Sequence, residues 1–147
     1  MIDLLFKTDA GLAALMLRCL LAIAIFPHGA QKALGWFGGF GLGGTLGYFR
    51  SLGIPTVLGV LGIAAEFIGP LLLLVGLGTR VAAFGIACMM IGAAWLVHRP
   101  YGFFINWFGQ HPLGKEGYEY HLLALGIAVL VMLMGGGKWS LDGSLVR

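Results

Sequence analysis

Apolar positions run along this chain in four long blocks, and each block is long enough to form a membrane-spanning helix. The expected spans are residues 10–34, 55–76, 79–98 and 118–134. Pro55 opens the second block, a residue well tolerated in a first helical turn. Arg99-Pro100 closes the third, and Gly135-Gly136-Gly137 closes the fourth. The second and third blocks are joined by a very short turn, which forces those helices to be antiparallel neighbours. The expectation is an all-α, integral membrane, antiparallel four-helix bundle. It forms one domain over residues 1–147, with aromatic, Gly-rich loops on one face.

Composition agrees with a bilayer environment. The chain is 59% hydrophobic and only 10% charged, against about 25% charge in soluble domains. Its mean hydropathy is +0.95. The net charge of +3 comes from scattered basic residues with no basic run, so nucleic acid is not an expected partner. The lipid bilayer is. Cys19 and Cys88 both fall in apolar blocks without a Cys-x-x-Cys spacing, so buried, inert thiols are expected. Lys7 before an apolar run imitates a signal peptide, but Arg18 interrupts the run and no small-residue cleavage site follows. A retained helix is expected.

With the N-terminus on one face of the membrane, the 79–80 turn and the C-terminus share that face, together with Lys7, Arg80, Lys138 and Arg147. The long loops 35–54 and 99–117 lie on the other face with Lys32, Arg50, Arg99 and Lys115. This balance does not fix the orientation, and cytoplasmic termini are the working choice.

Two charges stand deep inside the apolar blocks, away from their ends. Glu66 is central in the second and Arg18 lies in the first. A charge at the middle of a span costs about 2.5–3.5 kcal/mol on insertion scales for Asp, Lys or Arg, so such groups face the bundle interior and have partners. At about 1.5 Å of rise per residue, Arg18 lies about 12 Å from one face and Glu66 about 17 Å from the other. In a core about 30 Å thick these are nearly one level. An Arg18–Glu66 ion pair is therefore expected. Gly59, Gly62, Gly69 and Pro70 share the Glu66 stripe and mark it as a packed seam.

All four histidines fall at the loop face. His28 is near the end of the first span, His98 ends the third, His121 opens the fourth, and His111 is in the loop between. His28, Gln31 and Lys32 share a helical stripe. These residues, with aromatics such as Trp36 and Phe103, suit the headgroup of a quinone: Gln, Lys and His donate to carbonyls, rings stack, and imidazoles or carboxylates carry protons. Glu66, Arg18 and His98 are the candidate catalytic residues. His28, Gln31, Lys32, His121, Trp36 and Phe103 are the candidate ligand-binding residues. The same histidines could instead ligate haem, although no Cys-x-x-Cys-His is present. No metal site is expected.

The segment Gly39-Phe40-Gly41-Leu42-Gly43-Gly44 matches G-x-G-x-x-G in form only, because no strand precedes it and no βαβ unit surrounds it. With Trp36, Phe37, Tyr48 and Phe49 it is expected to lie at the membrane interface or over the bundle mouth. Loop 99–117, with Phe104, Trp107 and Phe108, has the same character. Two other functions fit the pattern: a non-catalytic anchor for soluble redox enzymes, and a small-molecule transporter, which four helices would form through oligomers. Small residues such as Ala83 and Ala87 permit homo-oligomers.

Several short motifs resemble the DoxX family of bacterial membrane proteins. They are His28-Gly29-Ala30-Gln31-Lys32, Trp36-Phe37-Gly38-Gly39-Phe40-Gly41, Leu52-Gly53-Ile54-Pro55, the run from Glu66 to Arg80, Gly102-Phe103-Phe104, Glu119-Tyr120, and the tail from Gly135 to Asp142. The resemblance implies a four-helix protein of the bacterial inner membrane. It also implies a link to quinone-coupled redox chemistry, as in the related DoxD subunits of a thiosulfate:quinone oxidoreductase, and soluble redox proteins as partners. By this likeness Arg18, His28, Lys32, Glu66, Arg80 and His98 hold the family's polar positions. Pro70 stands where a second glycine is common, a departure that could kink the helix near Glu66.

Overall fold

A computed structural model describes residues 11–112 and 114–145; Lys7 and Arg147, used above in the charge balance, lie outside the described residues. All described elements are helical. They are α1 (Leu12–Leu34), α2 (Gly41–Ser51), α3 (Thr56–Val75), α4 (Thr79–Ala93), α5 (Glu119–Met134) and the short α6 (Leu141–Leu145). A 3-10 turn, Trp36–Gly38, joins α1 to α2. At its far end α4 continues as one π-helical segment, Ala94–His98, and a 3-10 turn, Arg99–Tyr101.

Three helices are long and apolar enough to cross a membrane: Leu12–Leu34, Thr56–Val75 and the continuous Thr79–Tyr101. The fourth apolar helix, α5, has 16 residues, about 24 Å at 1.5 Å per residue. α1 packs on α3, α3 on α4, α4 on α5, and α5 on α1. The shared core comes from Leu21, Ile25, Leu73, Ile86, Met90 and Val131, with Ala22, Ala83, Ala87, Ala124 and Ala128 at the helix contacts. Small side chains there let backbones approach closely. The outward faces expose Ile23, Val57, Leu61, Val81 and Leu133. Exposed apolar residues in this number on long helices are a lipid-facing surface.

The α3–α4 reversal is made by Gly76-Leu77-Gly78, with φ of +69° at Gly76 and +57° at Gly78. Both values lie in the left-handed region that glycine enters without penalty. The chain turns in three residues, which seats α4 directly against α3.

Two expectations are corrected here. Residues 41–51 form a helix where a loop was expected, and α2 packs on both α1 and α3. Cys88 is exposed on the outer face of α4 rather than buried, and Cys19 is half-buried.

Candidate functional site

The site is set by one backbone contact. Pro70 lies inside α3, and proline has no N–H to offer the carbonyl four residues earlier. That carbonyl belongs to Glu66. Gly29 of α1 closes on it: a Cβ added at Gly29 would lie 2.0 Å from the Glu66 carbonyl oxygen. Only a glycine lets the two helices meet at this depth.

This register brings the last turn of α1 opposite Glu66, where the Lys32 ammonium forms an ion pair with Glu66 Oε2. The carboxylate side chain is 2% exposed and the lysine 28%. The pair therefore extends from the helix packing toward an open space. Thr45 of α2 donates from Oγ1 to the Lys32 carbonyl at 3.2 Å, fixing the end of α1 under α2.

The expected Arg18–Glu66 pair is not formed. Arg18 is 1% exposed and lies toward the opposite end of α1. Its Nη1 donates to the carbonyls of Leu73 at 2.5 Å and Leu74 at 2.6 Å, and its Nη2 to those of Trp139 at 3.0 Å and Lys138 at 3.4 Å. The guanidinium thus serves the C-terminal end of α3, where helix carbonyls carry partial negative charge. The depth estimate failed because it treated helix ends as level; the Gly29–Glu66 contact sets the register instead.

Around Arg18 the C-terminal segment folds under the bundle. Asp142, 1% exposed, accepts from the Gly78 amide at 2.7 Å and the Thr79 amide at 2.9 Å. It caps the start of α4 as an N-terminal carboxylate should. Its own amide donates to the Gly76 carbonyl at 2.9 Å. Arg80 donates to the Met132 carbonyl on α5 and so ties the start of α4 to that helix. Arg18 is therefore part of a structural clamp and does not line the candidate site.

At the other end, a cavity of about 690 Å³ opens beside the Lys32–Glu66 pair. Its polar lining comes from His28, Gln31, Lys32, Glu66, His98 and His121, with Tyr120 and Glu116. Its apolar walls include Phe49, Met89, Met90 and Leu96. His98 Nδ1–H donates to the Glu116 carbonyl at 2.7 Å, which leaves Nε2 uncommitted by that bond. The His98 and His121 rings lie 4.2 Å apart, centre to centre, with a 36° tilt. His28 packs on Tyr120 at 5.6 Å, whose hydroxyl donates to the Ala24 carbonyl at 3.2 Å. The His98–His121 spacing leaves no gap for a haem between these two rings. Among the described residues, no three His, Cys, Asp or Glu side chains group as metal ligands would.

Several sequence-derived candidates are placed elsewhere. Trp36 is exposed and meets Phe37 edge-on; Phe103 packs on Phe104 and Tyr118. Neither lines the cavity. His111 packs on Tyr101 and is likewise outside it. The aromatic wall is supplied instead by Tyr48 and Phe49 of α2, the helix that glycine content concealed. Glu116 had no helical phase to place it. The α5 entry brings it near, through Glu119 N–H to Phe103 O at 2.8 Å and Tyr118 N–H to Gly102 O at 3.1 Å.

The DoxX family model matches residues 13–99. The chain belongs to the DoxX family. The matched region takes in α1 through the π-helical end of α4, and so holds His28, Lys32, Glu66 and His98 of this DoxX protein. A protein of Bacillus subtilis (strain 168) named "Putative oxidoreductase CatD" is 34% identical over 82 residues, which cover 56% of this chain and 57% of that relative. The match thus spans a little over half the relative's length. No solved structure matches the chain.

Proposed function

We propose that this DoxX membrane protein binds a quinone-type ligand in the 690 Å³ cavity and takes part in membrane redox chemistry. The observation that carries this reading is the convergence of the Lys32–Glu66 ion pair and the His98–His121 ring pair on one cavity with apolar walls. Ligand pockets of this kind fall in the range of about 300–1,000 Å³, with few polar groups on an apolar lining. The residues fit a flat ring bearing carbonyl oxygens. Lys32 keeps further N–H donors beyond its bond to Glu66, and Gln31, whose Nε2 donates to the Phe37 carbonyl at 3.3 Å, keeps a second amide N–H. Phe49, Met89 and Met90 supply surfaces for the ring.

A bound quinone supplies reversible two-electron, two-proton chemistry. The chain's own groups hold and move the protons. His98, fixed through Nδ1–H on Glu116, has Nε2 as the atom free to accept or give one. Glu66 orients Lys32 and neutralises it, so the polar end of the cavity carries paired rather than net charge. The relative's name supports an oxidoreductase role.

In this reading α1, α3, α4 and α5 form an antiparallel four-helix bundle in the bacterial inner membrane with cytoplasmic termini. Soluble redox proteins, or further copies of the chain, are its partners. Solvent extraction of the purified protein, with a quinone assay and a visible spectrum, tests it. Co-purified quinone at a substantial fraction of one per chain supports the proposal. A haem spectrum with no quinone contradicts it.

A further inference from the structure

A second opening lies on the outer face of α4 and α5. It has a volume of about 340 Å³, and its walls include Ile91, Ala94, Trp95, Leu122 and Leu125. Met90 and His121 line both this groove and the main cavity, so the two spaces share a wall. The shared wall stands where α4 changes to a π-helix at Ala94–His98. Such insertions widen a helix locally and occur often at functional sites. His121 carries a second signal: its Nδ1 is buried and has no hydrogen-bond partner among the described residues. A buried nitrogen left without a partner is costly, and it marks a place where a ligand group can supply one. At the groove's edge Arg99 sits over the Trp95 ring at 4.2 Å, a cationic and aromatic pair suited to the membrane interface.

We infer that the α4–α5 groove is the lateral route into the cavity and holds the apolar chain of a membrane-dissolved ligand whose head reaches His121. The inference rests on the quinone-type reading and narrows it to amphipathic quinones bearing a long prenyl-type chain. The head passes beside His121 and the chain stays against Ile91, Leu122 and Leu125, in contact with lipid. The ligand then never leaves the bilayer. The cavity needs no opening through the loops for a molecule that is almost insoluble in water.

The test uses the full chain in lipid nanodiscs and two benzoquinone probes, one with no chain and one with a long polyprenyl chain. Ala94→Trp and Leu122→Trp fill the groove from separate helices; Leu122 is an exposed position that accepts bulk. Binding of the long-chain probe should weaken by about tenfold or more in each variant that keeps the wild-type melting temperature. The chainless probe should bind within about twofold of wild type. Unchanged long-chain binding in both variants overturns the groove assignment while leaving the cavity reading intact. Equal loss for both probes overturns it also, because the groove would then not distinguish chain from head. Failure of both probes to bind the wild-type protein defeats the cavity reading itself.

Discussion

Lys32 and Glu66 form an ion pair across α1 and α3 in which the carboxylate is almost wholly enclosed and the ammonium is partly open to the cavity. The two partners therefore differ in what their loss does. Lys32→Met leaves a buried carboxylate unpaired and should destabilise the protein by about 3 kcal/mol. Glu66→Gln leaves a lysine that can turn toward the open cavity, and should cost about 1 kcal/mol. Thermal or denaturant unfolding in one detergent measures the order. The reverse order would show that Lys32, not Glu66, is the enclosed partner.

Gly29 is the hinge of the register. An added methyl would overlap the Glu66 carbonyl at 2.0 Å, so Gly29→Ala must part α1 from α3. It should destabilise by about 3 kcal/mol or more, as forced overpacking with backbone movement does. Gly126 of α5 has no atom within 4 Å of an added Cβ, and Gly126→Ala should be neutral or stabilising by up to about 1 kcal/mol. Equal melting temperatures for the two variants would contradict the close approach.

The Arg18–Asp142 end of the molecule is predicted to act in stability and not in ligand binding. Asp142→Ala removes the cap from the α4 amides and should cost about 1–2 kcal/mol. Arg18→Lys keeps the charge but cannot span four carbonyls and should loosen the C-terminal segment, read as faster carboxypeptidase digestion. Quinone affinity measured on the folded fraction should not change in either variant. A loss of affinity without a loss of stability would return Arg18 to the functional site.

How far the sequence led can be followed through particular residues. Hydropathy marks the apolar helices because lipid-facing residues such as Ile23, Leu61 and Val81 add to the core residues on the same helices. α2 escaped notice because Gly41, Gly43, Gly44 and Gly47 lower helix propensity over its first two turns. What holds α2 is packing, through buried Thr45 and Phe49. His28, Gln31, Lys32, His98 and His121 were legible as a group, since span order alone brings them toward one end, whereas Glu66 was legible from its glycine stripe only as an inward-facing charge and not as a member of that group. The partner of Glu66 was not legible. It depends on the offset between α1 and α3, which a single backbone contact decides. Asp142 and the clamp around Arg18 were hidden for a related reason: they pair side chains with backbone carbonyls and amides, and these leave no mark in residue type.

The His98 and His121 rings lie 4.2 Å apart in a tilted contact, so replacing one changes the surroundings of the other. His98→Ala and His121→Phe should each weaken quinone binding by about tenfold, while the double variant should lose less than the product of the two. Full additivity would show that the rings act separately. Equilibrium titration of the single and double variants checks this.

The most direct measurement is a titration of the wild-type protein in nanodiscs with a polyprenyl quinone, compared with Lys32→Met and His98→Ala. Saturable binding at about one quinone per chain, weakened by about tenfold or more in both variants, is the predicted result. Binding that does not saturate, or that is the same in all three proteins, would contradict the assignment of this cavity.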